Sequence, residues 1–437
     1  MIGYRLTRCL PAALASLAIW HSTGQVHAAE APAYLVDRQS PYEAPGRGAG
    51  GTVRARPRPD FDPIGVSVGS FRLVPKLAVG TAYDSNVFRS ENNVRGDLIG
   101  RVQPSFKLES DWSRHSLAVS AAADLGFYAE ENGENYTDAQ AAAAGIVDIR
   151  RGLRLETGLS FGRLHEARGS VDGDGGTEPT TFNRFTAQSA LAARTGRVRY
   201  RFGGGYTTED YQDVPRIGGG TLNQDDRDQA IWSAFGLVSY EALPDTRAFV
   251  AGQYKLLDFR ASRDDSGVNR DSRQQSVVGG FDIDLGGITF ARAYAGWLGQ
   301  QFDDDRLEDI SGFTVGGDVT SNITPLTTIT ATLNRNLHST VTAGASAFVE
   351  TGARAEVDHE LLRNVLLGAS VWSRRLTFKG IDRTDDHVGF GFSGEWLLNR
   401  YARVRLEYDF DLRNSGGNAA VNDWRRHVAA LRLLLQR

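Results

Sequence analysis

Apolar and ionisable residues alternate strictly over one stretch near the C-terminal end of the chain. The even positions are Ala402, Val404, Leu406, Tyr408, Phe410 and Leu412, and the odd ones are Arg403, Arg405, Glu407, Asp409, Asp411 and Arg413. A period of two is that of a β-strand, whose successive side chains point to opposite faces. At about a dozen residues the stretch is roughly twice as long as a usual soluble strand, but it suits one that crosses a bilayer at a tilt. The pattern therefore predicts a transmembrane strand with an apolar lipid face and a charged inner face.

Similar alternation recurs along the chain, most clearly at 117–127, 153–161, 198–202 and 277–285. Eight short connections alternate with nine long ones, at 85–96, 131–136, 169–181, 212–226, 262–272, 303–309, 338–344, 380–385 and 415–423. Seventeen connections predict an all-β, antiparallel, up-and-down barrel of about eighteen strands, or sixteen if one hairpin is miscounted. The alternation breaks near Ser373-Arg374-Arg375, which indicates a bulge or the end of the bilayer zone.

Aromatic residues are concentrated near the ends of the predicted strands. We expect them at the two membrane interfaces, where aromatic girdles anchor transmembrane barrels. The set is Trp112, Phe127, Tyr206, Trp232, Tyr240, Trp297, Trp372, Trp396, Tyr401 and Trp424. Ordinary core packing in a soluble β-protein is the alternative explanation for the same residues.

The chain begins with the features of a secretory signal peptide. Arg5 and Arg8 accompany about a dozen mainly apolar residues, and a small-x-small cleavage site follows at 26–28. We therefore predict that residues 1–28 are removed. The single cysteine, Cys9, lies in this segment, so the mature chain is expected to have no thiol for a disulfide, a nucleophile or a thiolate metal site.

Residues 29–62 are rich in Pro, Gly, Arg and Ala, and we expect them to form a flexible periplasmic segment before a barrel at 63–437. Without the two arginines of the signal peptide the chain has 47 basic residues (49 less two) against 53 acidic ones, a net charge of −6. This balance disfavours a nucleic-acid partner.

Three motifs at the start of the predicted barrel are distinctive. They are the run from Phe61 to Arg89, Asp111-Trp-Ser-Arg-His115 and Asp124-Leu-Gly-Phe-Tyr-Ala129; within the first, Tyr-Asp-x-Asn-x-Phe at 83–88 is the most specific. This part of the chain, roughly 56–165, resembles the Putative beta-barrel porin 2 family of Gram-negative outer membranes; after it only the strand rhythm matches. The resemblance implies an outer-membrane barrel, and it hints at exopolysaccharide passage with a periplasmic export protein as partner.

No sequence motif indicates an enzyme, and we predict no catalytic, cofactor or metal site. The histidines form no metalloprotease pattern, and Gly391-Phe-Ser-Gly394 is one residue short of a nucleophile elbow. The Asp172-Gly-Asp-Gly-Gly176 run could bind a divalent cation, but a solvated turn is the favoured interpretation.

The charged inner face is the candidate functional surface. We expect the following residues to line an aqueous lumen: Arg154, Glu156, Arg199, Arg201, Arg403, Arg405, Glu407, Asp409, Asp411 and Arg413. Alternatively, they pair across strands and stiffen the wall. The function predicted is an outer-membrane channel, for polysaccharide first, with small-solute diffusion or a plugged surface barrel as alternatives. Expected partners are outer-membrane lipid, lipopolysaccharide and the barrel assembly machinery.

Overall fold

A computed structural model describes residues 51–173 and 175–437. The predicted signal peptide and the first part of the predicted periplasmic segment lie outside these residues. Eighteen long strands make up the barrel: β1 Phe71–Asp84, β2 Asp97–Ser110, β3 Ser116–Tyr128, β4 Tyr136–Arg150, β5 Leu153–His165, β6 Thr181–Thr195, β7 Val198–Tyr211, β8 Gln229–Leu243, β9 Thr246–Phe259, β10 Ser272–Leu285, β11 Thr289–Phe302, β12 Ile310–Thr324, β13 Thr327–Ser339, β14 Ala347–Leu362, β15 Val365–Lys379, β16 Thr384–Leu397, β17 Ala402–Gly416 and β18 Trp424–Gln436.

Every strand pairs antiparallel with its neighbours in the chain, and β1 closes the barrel by pairing with both β2 and β18. The predicted strand number and up-and-down topology are confirmed. A short strand, Val66–Val68, pairs with β1, and Val214–Pro215 pairs with Thr221–Leu222 in the β7–β8 connection. The nine long connections share one end of the barrel, which is the extracellular end in bacterial barrels. No helix among the described residues is long and apolar enough to cross a membrane.

The alternation of side chains separates the two faces of the wall as predicted. On β17, Leu406 is 60% exposed and Glu407 is 6% exposed, because the first points out of the barrel and the second points in. Exposed apolar side chains elsewhere fall at the predicted outward positions: Phe127, Leu159, Phe161, Phe202, Val277, Phe281 and Leu285. A shift of one residue would place charges against lipid, so the register is strongly determined.

The inner wall of β7 to β12 is covered by aromatic rings that lie on glycines of a neighbouring strand. A Cβ at Gly203 would stand 2.6 Å from Cζ of Phe235, and one at Gly280 would stand 2.7 Å from Cζ of Phe249. Only glycine leaves room for a ring at this distance. The rings therefore lie flat against the wall and do not project into the lumen.

Most of the predicted girdle residues are exposed on the outer face, namely Trp112, Phe127, Trp232, Tyr240, Trp297, Trp396 and Tyr401. Tyr206 packs against Trp232 with ring centroids 4.4 Å apart and ring planes tilted by 46°. Two residues of the predicted set are not part of the aromatic girdle. Trp372 and Trp424 occupy inner-face positions, and Trp424 is buried. Proximity to a strand end could not distinguish the faces, whereas the strand register does.

Candidate functional site

The inner face of β17 carries the charge ladder that the sequence predicts. Its members lie on the face opposite the apolar side chains, and they are Arg403, Arg405, Glu407, Asp409, Asp411 and Arg413. Arg405 Nε lies 2.9 Å from one oxygen of Glu407, and Arg432 of β18 lies 2.5 Å from the other. Arg403 Nη1 is 3.4 Å from Glu395 Oε1 of β16. Pairing along the strand and across to its neighbours thus neutralises much of the ladder locally.

A second cluster lies on β5 and β7. Arg154 Nη2 is 2.5 Å from Glu156 Oε1, and Arg201 Nε is 3.1 Å from Glu156 Oε2. Arg199 occupies the preceding inner-face position of β7. Five strands, β4 to β1 and β18, separate β5 from β17 through the closed seam, so the ten predicted residues divide between two walls. Their contact with a permeating solute stays a prediction.

The Tyr-Asp-x-Asn-x-Phe motif forms a buried turn at the extracellular end of β1. The side chain of Asn86 is fully buried; it donates to the Ser90 carbonyl and to the Arg425 carbonyl of β18, at 2.8 and 3.1 Å. Asp84 lies 3.3 Å from Arg89 and 3.4 Å from Arg426. The motif therefore fastens the barrel seam and presents Arg89 towards the lumen.

The connection between β5 and β6 enters the barrel and crosses it. We call its residues 166–172 the lumen loop. Near its origin Glu166 pairs with Arg227 at 2.7 Å. Further along, the Gly169 carbonyl accepts a hydrogen bond from Arg413 Nη1 at 3.4 Å. Gly169 has φ +76°, and a Cβ there would stand 3.0 Å from Arg89. The loop thus contacts β17 at Gly169, where the positive φ and the close approach of Arg89 both favour glycine.

The far end of the lumen loop is fixed to the opposite wall. Asp172 accepts hydrogen bonds from the hydroxyls of Thr340 and Thr342, at 2.6 and 3.0 Å. Val171 packs against an apolar inner cluster made of Ala345, Phe348, Leu376, Phe378 and Ile381. These residues belong to β14, β15 and their connections, about halfway round the barrel from β5. The sequence favours a solvated turn for the Asp172 run, whereas in the structure Asp172 anchors the loop.

The connection between β13 and β14, to which Asp172 is hydrogen-bonded, is itself held in place by buried side chains. Arg270, from the β9–β10 connection, donates to the carbonyls of Thr340 and Ala345 at 2.5 and 2.9 Å. Asp264 holds this guanidinium at 2.6 Å, and both side chains are buried. Ala347 and Val349 are buried against Leu298 and Ile310 of the barrel wall. The end of the β13–β14 hairpin is therefore bent into the lumen and held there.

The lumen loop and the inner wall enclose a cavity of about 370 Å³. Asp411 and Arg413 line it, whereas the other eight predicted lumen residues do not. Eight arginine and lysine side chains and six carboxylates contribute to the lining. Several carboxylates are held by arginine, as in the pairs Glu166–Arg227 and Glu209–Arg184, both at 2.7 Å. The cavity therefore has a moderate excess of positive charge.

The periplasmic mouth contains residues 51–62, which we call the N-terminal plug. Val53 is 1% exposed and donates its amide hydrogen to Thr328 Oγ1 at 2.9 Å. Arg54 Nε lies 2.5 Å from Asp358 Oδ1. The sequence led us to expect a flexible segment through residue 62, but the structure places these residues against inner-face side chains. In a flexible linker these arginines would be solvated, whereas here they pair with carboxylates on the barrel wall.

Further ion pairs fix the plug along its length. Arg58 Nη2 lies 2.8 Å from Glu360 Oε2 of β14. Arg403 donates to the Phe61 carbonyl at 3.2 Å and lies 3.4 Å from Asp62. The contacts run from β13 to β18, which is one third of the wall. Arg403, predicted to face an open lumen, is thus a contact of the plug.

The extracellular loops contain a carboxyl group whose ionisation is disfavoured. Burial, and then the nearby carboxylate of Asp265, raise the pKa of Asp226 to about 6 from its ordinary value of 3.8. The pKa of Asp226 is higher in the folded state than in the unfolded state. Below pH 3.8 the group is protonated in both states and has no effect on stability, but as pH rises through about 6 its ionisation increasingly destabilises the folded state.

We therefore expect Asp226→Asn to raise the thermal stability of the barrel at pH above 7 and to leave it unchanged below pH 3.8. Loss of heat-modifiable migration in gel electrophoresis measures this stability. Asp305→Asn, in another extracellular connection, is the control, since the pair Asp304–Arg306 beside it remains intact. Equal stabilisation of the Asp226 variant at both pH values would contradict the assignment.

A closed antiparallel barrel with an apolar outer face and a charged, partly filled interior defines the class of outer-membrane β-barrel proteins of the porin type. The family model described as Putative beta-barrel porin 2 matches residues 58–437. The chain belongs to this family. The match extends the resemblance through the C-terminal half, beyond the region where the motifs indicated it. No curated protein matches significantly.

Solved structures of Pseudomonas aeruginosa proteins, among them the outer membrane protein OpdK, are similar over most of the chain at low identity. OpdK is 13% identical over 84% of this chain and 99% of its own, with a TM-score of 0.43. OpdO is 13% identical over 85% and 98%, with a TM-score of 0.45. The siderophore receptor PirA is 8% identical over 84% and 80%, with a TM-score of 0.43. Likeness at this level says nothing about the solute.

Proposed function

We propose that the protein is a narrow outer-membrane channel that passes small solutes and prefers anions. The observation that supports this proposal is the cavity under the lumen loop, whose lining contains eight cationic side chains against six carboxylates. With the lumen loop on one side of the cavity and the plug at the periplasmic mouth, a permeating solute must be small, and a local excess of positive charge favours anions.

Polysaccharide translocation, the first substrate predicted from the sequence, has less support from the inner wall. Sugar rings bind proteins by stacking on exposed aromatic faces. The inner rings Phe249, Tyr294 and Phe348 are 5%, 8% and 9% exposed. A polysaccharide would also have to displace the lumen loop. A periplasmic export protein as partner remains a prediction that belongs to this alternative.

Planar-bilayer recording tests the proposal on the purified protein. We expect stable conductance steps and a reversal potential that shows moderate anion preference under a KCl gradient. Arg405→Gln should shift that potential towards cations, because Glu407 keeps its pairing with Arg432 at 2.5 Å while one inner cation is lost. Absence of steps would indicate a plugged barrel and overturn the proposal.

Liposome swelling separates the two substrate classes. Small organic anions should enter faster than neutral oligosaccharides if the channel is narrow. Arg375→Gln is the matched control for charge, since Arg375 is exposed on the outer face and pairs with Asp386 at 2.6 Å. Rapid oligosaccharide entry, with no preference for small anions, would favour polysaccharide passage instead.

A further inference from the structure

One cation of the cavity differs from the others. Lys255 of β9 lines the cavity and is partly buried, but it forms no hydrogen bond or ion pair within the part of the chain that the structure describes. Its cross-strand neighbours, Ser233 and Gln274, are uncharged. Gln253 and Leu257, the adjacent inner-face residues of its own strand, are uncharged as well. No carboxylate of the wall therefore compensates this ammonium group.

The carboxylates of the cavity are occupied by other residues. Arg184 holds Glu209 at 2.7 Å, and Arg227 holds Glu166 at the same distance. Arg227 is buried, so releasing Glu166 to approach Lys255 would leave a buried guanidinium without its partner. A diffusible anion from the lumen can therefore neutralise Lys255 without breaking any of these ion pairs.

The surface beside Lys255 indicates what kind of group the bound anion carries next to its charge. Ile231, Leu257 and Phe259 line the same cavity on β8 and β9, towards the extracellular end from Lys255. Gln229 and Gln274 supply amide groups at the edges. An apolar wall next to a single ammonium group complements a molecule with one carboxylate and a compact apolar body. A cavity of about 370 Å³ holds such a molecule of about ten non-hydrogen atoms.

We propose that this cavity is a binding subsite for small monocarboxylic acids, with the carboxylate on Lys255 and the apolar body against Ile231 and Leu257. The inference rests on the proposed channel function and names the solute class of its constriction. A charge-assisted hydrogen bond to the ammonium group supplies affinity, while the apolar contacts distinguish the ligand from chloride and acetate.

The test is block of ion current through the full mature protein in planar bilayers, with phenylacetate as the probe. We expect phenylacetate to reduce the current in a dose-dependent manner, and its neutral analogue phenylacetamide to have no effect. Lys255→Gln should raise the half-blocking concentration about tenfold or more, since a hydrogen bond to a charged group is lost. Lys255→Arg should retain most of the block.

Lys107→Gln is the matched control, because Lys107 also lies on the inner face but already pairs with Glu109 at 2.7 Å. It should leave the block unchanged. An unaltered half-blocking concentration in Lys255→Gln, or equal block by phenylacetamide, would overturn the subsite. Equal block by acetate would overturn the role of the apolar wall. Heat-modifiable migration verifies that each variant is folded.

Ligand-observed NMR on the detergent-solubilised protein makes the subsite and the channel separately testable. Saturation transfer from the protein to phenylacetate, lost in Lys255→Gln, supports the subsite whether or not current flows. If the protein binds phenylacetate but shows no conductance, the channel function fails and the subsite stands. If it conducts and transfers no saturation, the subsite fails and the channel stands.

Discussion

Replacing residues 167–172 by two glycines is expected to raise the single-channel conductance about threefold or more, because the segment that crosses the aqueous interior is then removed. The barrel itself should remain, since its strands pair independently of this loop. Planar-bilayer recording in concentrated KCl provides the measurement. An unchanged conductance would mean that the lumen loop does not limit the current.

A milder variant tests the anchoring of the same loop. Thr340→Val with Thr342→Val removes both hydroxyl groups that donate to Asp172. We expect more frequent transitions to a larger conductance, since the loop stays in place but loses its attachment to the far wall. Ser266→Ala, in a different extracellular connection, should behave like the unaltered protein. Identical behaviour of the two variants would contradict this role of Asp172.

Deleting residues 51–62 is the second change with a large expected effect. The periplasmic mouth should widen, and the reversal potential should move towards cations. Arg54 and Arg58 now neutralise carboxylates of Asp358 and Glu360, and the deletion exposes these acids to the lumen. Widening alone would only weaken the anion preference, whereas the exposed carboxylates should carry the shift further towards cations, because the wall itself changes its effective charge.

Two comparisons make this deletion interpretable. Arg54→Glu with Arg58→Glu should expel the N-terminal plug by repulsion and reproduce both effects without shortening the chain. Arg72→Gln removes an arginine at the same end of the barrel, where it pairs with Glu109 at 3.0 Å and is largely exposed. That control should leave conductance and selectivity unchanged. Wild-type currents in the deletion variant would place the plug outside the conducting path.

The barrel wall could be predicted from the sequence because one local rule determines it. Each strand needs lipid-compatible side chains at every second position, so a pattern such as Ala402 to Arg413 indicates strand, face and length together. Long and short connections then gave the strand number. Residue type and position along the strand were sufficient, since no distant contact is needed to decide which face meets lipid.

The contents of the lumen could not be predicted in this way. Asp172 and Thr340 are 168 residues apart, and no local pattern relates them. One signal was available: the break in alternation near Arg374. It predicts a bulge or the end of the bilayer zone; the continuous ladder between β15 and β16 contradicts the bulge, and the end of the bilayer zone stays a prediction. The inner residues Leu376 and Phe378 are apolar because they cover Val171 of the lumen loop.

Arg54 and Asp358 are 304 residues apart in the chain, and this separation dictates an order of assembly. Residues 51–62 reach the periplasm before any strand, whereas β13 to β18, which hold them, are synthesised last. Residues 51–62 therefore cannot take their place in the barrel lumen until the final third of the wall has formed. We expect closure of β1 on β18 to trap it, so that a nascent barrel is protease-sensitive at its amino end until the seam is complete.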